Sequence, residues 1–158
     1  MDRYHWLLVF HMAGVFLVLG GAMLAGIFNL AAQRRELPSE IVVLFNLARI
    51  AVISVMVGMT LTIVFGLWLV ADLDFVKWSD GWVIAAVILW LVANALGTNG
   101  GRRDRRTREL AERLAAEGDQ PSPELRASLR DPVSLALSWG SGLVVIVILV
   151  LMIWKPGH

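Results

Sequence analysis

Four apolar runs dominate this chain, and each is long enough to cross a lipid bilayer. They extend from about Trp6 to Ala32, Phe45 to Ala71, Gly81 to Thr98 and Val133 to Trp154. A helix needs roughly 20 apolar residues to cross about 30 Å of hydrocarbon. In lipid, only helices and closed barrels satisfy every backbone N–H and C=O. These runs lack the alternation of barrel strands. The expected fold is therefore all-α: a polytopic membrane protein, a four-transmembrane-helix bundle forming one domain over residues 1–158. A short basic helical segment, residues 101–131, should link the last two spans and lie in the cytoplasm. Hydrophobic residues make up 58% of the chain, against roughly 45–50% in a soluble domain. The first run is too long for a signal-peptide core and reads as a span. Cysteine is absent, which excludes disulfides, thiolate metal sites and thiol catalysis.

Charge sets the threading. The net charge is only +1, but the arginines are segregated. Arg34 and Arg35 fall between spans one and two, with Arg49 just inside span two. Arg102, Arg103, Arg105, Arg106, Arg108, Arg113, Arg126 and Arg130 fall between spans three and four. The opposite ends carry only Arg3, Lys77 and Lys155. Positive charge stays inside, so both termini are expected outside. Trp6, Trp68, Trp78, Trp82 and Trp154 would then form an aromatic belt at the outer interface. Asp131-Pro132 reads as an N-cap with proline at the first helical position. Lys155-Pro156-Gly157 ends span four, and Gly100-Gly101 is expected to end span three. The stretch RRDRRTRELAERLAAEG should form a separate basic helix, with Glu109 and Arg113 paired. Ser122-Pro123-Glu124 should start another. Arg102 to Arg113 would lie on anionic lipid or a cytoplasmic partner. No nucleic-acid module fits in so short a segment, where arginines alternate with acids.

Helical projection separates faces. His11, Val18, Ala22, Ala25 and Asn29 fall near one line on span one, flanked by Gly14 and Gly26. Ser54, Gly58, Thr62 and Gly66 make a small-residue stripe on span two, suited to close helix approach. Span three offers Ala86, Trp90, Asn94 and Gly97, and span four Ser138, Ser141 and Gly142, for the same packing. The stripes also allow self-association. Asn29, Asn46, Arg49, Asn94, Thr98, Ser138 and Ser141 all lie in the arginine-bearing half. They could enclose a polar pocket centred on Arg49. Alternatively, Arg49 snorkels to the interface and the asparagines tie helix ends.

His11 lies well inside the first run. An ionisable residue at such depth is a functional suspect. It could ligate haem b or copper, take part in ion or small-molecule passage, or serve as a packing residue hydrogen-bonded to a neighbouring span. At matching depth the other spans offer Gly66, Val87 or Ile88, and Leu149, none of which can ligate. A haem would thus be five-coordinate or shared across a dimer. Copper would need help from His5, Met12 or His158. No carboxylate lies within a span to relay protons. Asp72, Asp74 and Asp80 could hold a divalent cation but suit a solvated loop equally. No phosphate-binding glycine loop, serine nucleophile or zinc spacing is present.

The stretch HWLLVFHMAGVFLVLGG, with its early histidine and following Gly-Gly, resembles the first span of a group of uncharacterised bacterial integral membrane proteins. More remotely, that group resembles the copper-resistance D type and the haem-binding protoporphyrinogen oxidase type. The resemblance implies four spans in a bacterial inner (plasma) membrane and, from the haem-binding relatives, a ligand role for His11. The residues themselves favour a non-enzymatic accessory or assembly module, a homo-oligomer or part of a membrane complex.

Overall fold

The computed structural model describes residues 2–73 and 76–155, and every regular element among them is helical. The expectations at Asp74, Pro156, Gly157 and His158 lie outside the described residues. The helices are α1 (Arg3–Ala32), α2 (Pro38–Asp72), α3 (Gly81–Ala116), α4 (Pro123–Leu129) and α5 (Pro132–Trp154). α1, α2, α3 and the α5 segment are each long and apolar enough to cross a membrane. Large apolar side chains point outward along them, Met23 and Ile153 being 70% and 84% exposed. That surface is intelligible only with lipid as the solvent.

α1 packs along α2, and α3 along α5. These two hairpins meet chiefly through α2 and α3. On α1, besides Ala32 at its end, the buried residues are Leu7, His11, Gly14, Val18 and Gly21. Their alternating steps of four and three are those of a left-handed coiled-coil seam. Ala22, expected in this seam, is exposed, and Gly21 takes its place. A seam repeating every 3.5 residues, as coiled coils do, drifts off a straight helical projection by about 20° per heptad. Gly26 also faces open space.

Glycines let the first hairpin close to backbone contact. A Cβ on Gly58 would sit 2.7 Å from the Gly14 carbonyl oxygen and 2.8 Å from the Val18 nitrogen. A Cβ on Gly14 would sit 2.9 Å from the Gly58 carbonyl oxygen, and one on Gly21 2.7 Å from that of Ala51. No other side chain fits there without parting the helices.

The two ends are finished differently. At the tryptophan end, Val70, Val76, Trp82 and Val83 form a small core, and Arg3 pairs with Asp72 across the first hairpin. Phe10 stacks on Phe65 at 4.9 Å between centroids. At the arginine end, Ala32, Ile41, Phe45, Ala111 and Leu125 form a second core from four helices.

That second core corrects the expected boundaries. α3 does not stop at Gly100-Gly101 but runs on through the arginines. Its 36 residues span ~54 Å at about 1.5 Å per residue, well beyond the hydrocarbon. Gly100 is buried toward Leu137 and Ser138 of α5, so it serves packing rather than termination. The helix ends at Glu117, followed by Gly118 at φ 128° and Asp119 at φ 53°. The basic stretch is thus an extension of a span and not a separate helix. Its pairs are Arg105–Glu109 and Arg108–Glu112 in place of Glu109–Arg113. α2 likewise begins at Pro38, earlier than the apolar run. Its first turn is capped from afar: the Asp119 carboxylate accepts from the Ser39 backbone N–H at 2.8 Å and from its hydroxyl at 2.6 Å. As expected, Asp131 caps α5, accepting from the backbone N–H groups of Val133 and Ser134.

Gly58→Leu should force the first hairpin apart at a point where both neighbours are backbone. Overpacking of this kind costs about 1–3 kcal/mol, and with no flexible partner to yield the upper end is expected. The check is a fall in thermal unfolding temperature in mild detergent, with Gly26→Leu, which faces open space, left near the wild-type value.

Candidate functional site

His11 sits on the buried side of α1, 8% exposed. Its Nδ1 lies 3.0 Å from the backbone carbonyl oxygen of Thr62 on α2. A carbonyl can only accept, so Nδ1 carries a proton, and in the neutral imidazole the lone pair is then on Nε2. Gly66 makes room for the ring, since a Cβ there would come within 3.0 Å of Cε1. Thr62 also touches the Gly14 position, where an added Cβ would meet Oγ1 at 2.7 Å. Gly14, Gly58, Thr62 and Gly66 of the expected packing set therefore do meet, around this imidazole. Ser54 is half-buried, and its hydroxyl donates back to the Ile50 carbonyl at 3.5 Å.

Thr62 has a second peculiarity. Thr60 donates its hydroxyl to the Met56 carbonyl at 3.0 Å, the usual recourse of a helical threonine. The Thr62 hydroxyl is buried without a partner among the described residues. It borders a narrow apolar recess between the two hairpins, with Val18, Met59, Trp90 and Ile148, of about 30 Å³. Trp90 closes one side by donating its indole N–H to the Met59 carbonyl at 3.3 Å.

Among the described residues the copper set does not assemble. Met12 is 44% exposed on the lipid side of α1 and His5 is exposed near the helix start, while His11 turns inward. No group of three or more His, Asp or Glu side chains fit for a metal ion forms among the described residues. For haem, the imidazole has the right orientation, with Nδ1 anchored and Nε2 free. The adjoining recess is far too small to take a macrocycle within one protomer.

The polar residues proposed as one pocket are scattered. Asn46, Arg49 and Ser138 are exposed, and Asn94 donates to the Trp90 carbonyl of its own helix at 3.1 Å. Depth was common to them, but direction was not. Two members reach another helix: Ser141 of α5 donates to the Ala93 carbonyl of α3 at 3.5 Å, and Asn29 leaves α1 for α3. Asn29 joins Asp104 of α3, which also accepts from the Ser134 hydroxyl of α5 at 3.2 Å. Asp104 was not singled out in the sequence. A signal existed: Ala93, Gly97, Gly100 and Asp104, at steps of four and three, make the α5-facing seam of α3.

Four long apolar helices, lipid-facing flanks and polar groups confined to helix contacts and ends define a polytopic integral membrane protein. A family of predicted integral membrane proteins, DUF2269, matches residues 5–156, and the chain belongs to it. No curated protein and no solved structure matches the chain.

His11→Leu should leave the bundle folded. Thr62's carbonyl retains its helical donor, so only the interhelical bond is lost, costing about 1 kcal/mol. The expected result is a small drop in unfolding temperature, read in detergent, with the circular-dichroism spectrum unchanged.

Proposed function

We propose that this protein is a non-enzymatic accessory or assembly module of the bacterial inner membrane. In this reading it works by association, with itself or within a membrane complex. The carrying observation is how its polar groups are employed. His11, Asn29 and Ser134 each bond one helix to another, and Asp119 ties the segment after α3 to the start of α2. Each spends its polar atoms on a neighbouring part of the same chain. What remains available to a partner is the lipid-facing surface and a structured arginine end. The positive-inside rule places that end in the cytoplasm and both termini outside. Arg34, Arg49, Arg102, Arg106, Arg113 and Arg130 have no acidic partner there among the described residues. Anionic lipid headgroups suit them. The test is affinity purification in mild detergent after brief cross-linking in cells. A partner or self-oligomer at fixed stoichiometry is expected. A monodisperse monomer with nothing attached would remove this reading.

One observation favours a second reading, a haem bound through His11. An imidazole anchored at Nδ1 to a backbone carbonyl presents Nε2 as a ligand. Because the recess is small and His11 is buried, such a haem would require the helices to part beside the imidazole. Purified protein would then absorb strongly near ~400 nm, and His11→Ala would abolish the band. A colourless preparation from haem-replete cells would end the reading.

A further inference from the structure

Asp104 is a half-buried carboxylate whose bonded partners are neutral side chains on two other helices. Arg35, Arg103, Arg105, Arg108 and Arg126 each have an acidic partner. Asp104, in the middle of the arginine run, has no cationic one among the described residues. It is half-buried where α1, α3 and α5 converge, beyond the apolar part of α3. Its Oδ1 accepts from the Ser134 hydroxyl at 3.2 Å, and its Oδ2 faces the Asn29 amide nitrogen at 3.5 Å.

Both partners are ambivalent. A serine hydroxyl donates or accepts, and an asparagine amide offers either function after a flip. Such a shell can satisfy an ionised carboxylate or a neutral carboxyl. An arginine would hold the group charged at all working pH values. Of the charged groups on the surrounding elements, Arg102, Arg106 and Arg130 are exposed and make no bond to this site among the described residues, and others are committed elsewhere. On α3, Arg103 pairs with Asp131, Arg105 with Glu109 and Arg108 with Glu112. On α5, Asp131 caps its own helix. On α4, Arg126 pairs with Glu36, and Arg35, beyond α1, pairs with Glu40 of α2. Arg34 and Arg49 are exposed, without a bond to this site among the described residues.

The location gives a proton leverage. α1 and α5 belong to different hairpins, which meet mainly through α2 and α3. The Asn29–Asp104–Ser134 chain bridges them at the arginine end. We propose that Asp104 is a proton-operated latch between the two hairpins. Neutral, it lets the ends of α1, α3 and α5 close. Ionised, it draws in water and lets them part. Burial pushes its carboxyl above the ordinary range, opposed by the bonds from Ser134 and Asn29. The folded state therefore binds the proton more tightly than the unfolded chain does. The stabilisation is complete below the ordinary carboxylate value and is lost as pH rises through the folded value.

The test uses the full chain in lipid vesicles. The protein has no cysteine, so Leu30→Cys and Ala136→Cys, both at exposed positions, admit one spin label on α1 and one on α5. Their separation is read by pulsed electron resonance from about pH 4 to pH 8, bracketing the carboxylate range. A short-distance population that grows on acidification is expected. Asp104→Asn should hold that population at every pH. Ser134→Ala keeps the carboxyl but removes a donor to the anion, and should move the midpoint upward by on the order of one pH unit. Distances independent of pH, a response that persists in Asp104→Asn, or an unmoved midpoint in Ser134→Ala would each overturn the latch.

Discussion

The structure rests on the backbone of α1 lying directly against the backbone of α2. Lipid gives apolar side chains no reason to leave it for one another, so helices associate where surfaces approach most closely. Gly14, Gly21 and Gly58 supply that approach. Everything at the middle of the first hairpin follows from it. The Thr62 carbonyl comes within reach of His11 only because α1 and α2 are so near, and Gly66 leaves space for the ring. The imidazole is a consequence of the glycine contact, as well as a reinforcement of it.

The second hairpin is made with less intimacy. Gly97 and Gly100 leave ordinary van der Waals distances to α5, at 3.7 Å for an added Cβ. The hairpins are joined most firmly where they leave the hydrocarbon. Two small cores, around Trp82 at one end and Ile41 at the other, draw on the ordinary hydrophobic effect, which operates again in water. The bundle therefore combines two physical regimes: close steric fit within the membrane and solvent-driven burial beyond it.

The spans were legible because hydrocarbon thickness imposes a length on apolar runs. The stripe containing Gly58, Thr62 and Gly66 was legible for a related reason, since small residues at helical spacing have one evident use in lipid. The Ala22 expectation failed where a straight projection was applied to supercoiled helices. Gly100-Gly101 misled because glycine signals termination in water but close packing in a membrane. The supposed pocket around Arg49 failed because hydropathy gives depth along a helix and says nothing of azimuth. Asp119 and Asp104 act across 80 and 75 residues respectively, a distance over which local pattern carries no information. His11 was found for its chemistry, but its acceptor is a backbone carbonyl, which every residue possesses and no sequence marks.

The capping of α2 by Asp119 bears on how the chain is made. Ribosomes emit residues in order, and Ser39 emerges long before the aspartate that completes its helix. The first hairpin must enter the bilayer with one helix end unfinished. Its amide hydrogens face water until the third span has crossed and the segment behind it has come back to the same side. Closure of that bond then reports that insertion has gone the right way round, because a chain threaded with its third span reversed leaves Asp119 on the far side of the membrane. The bond between Asp119 and Ser39 thus requires the two loops that carry them to lie on one face of the membrane.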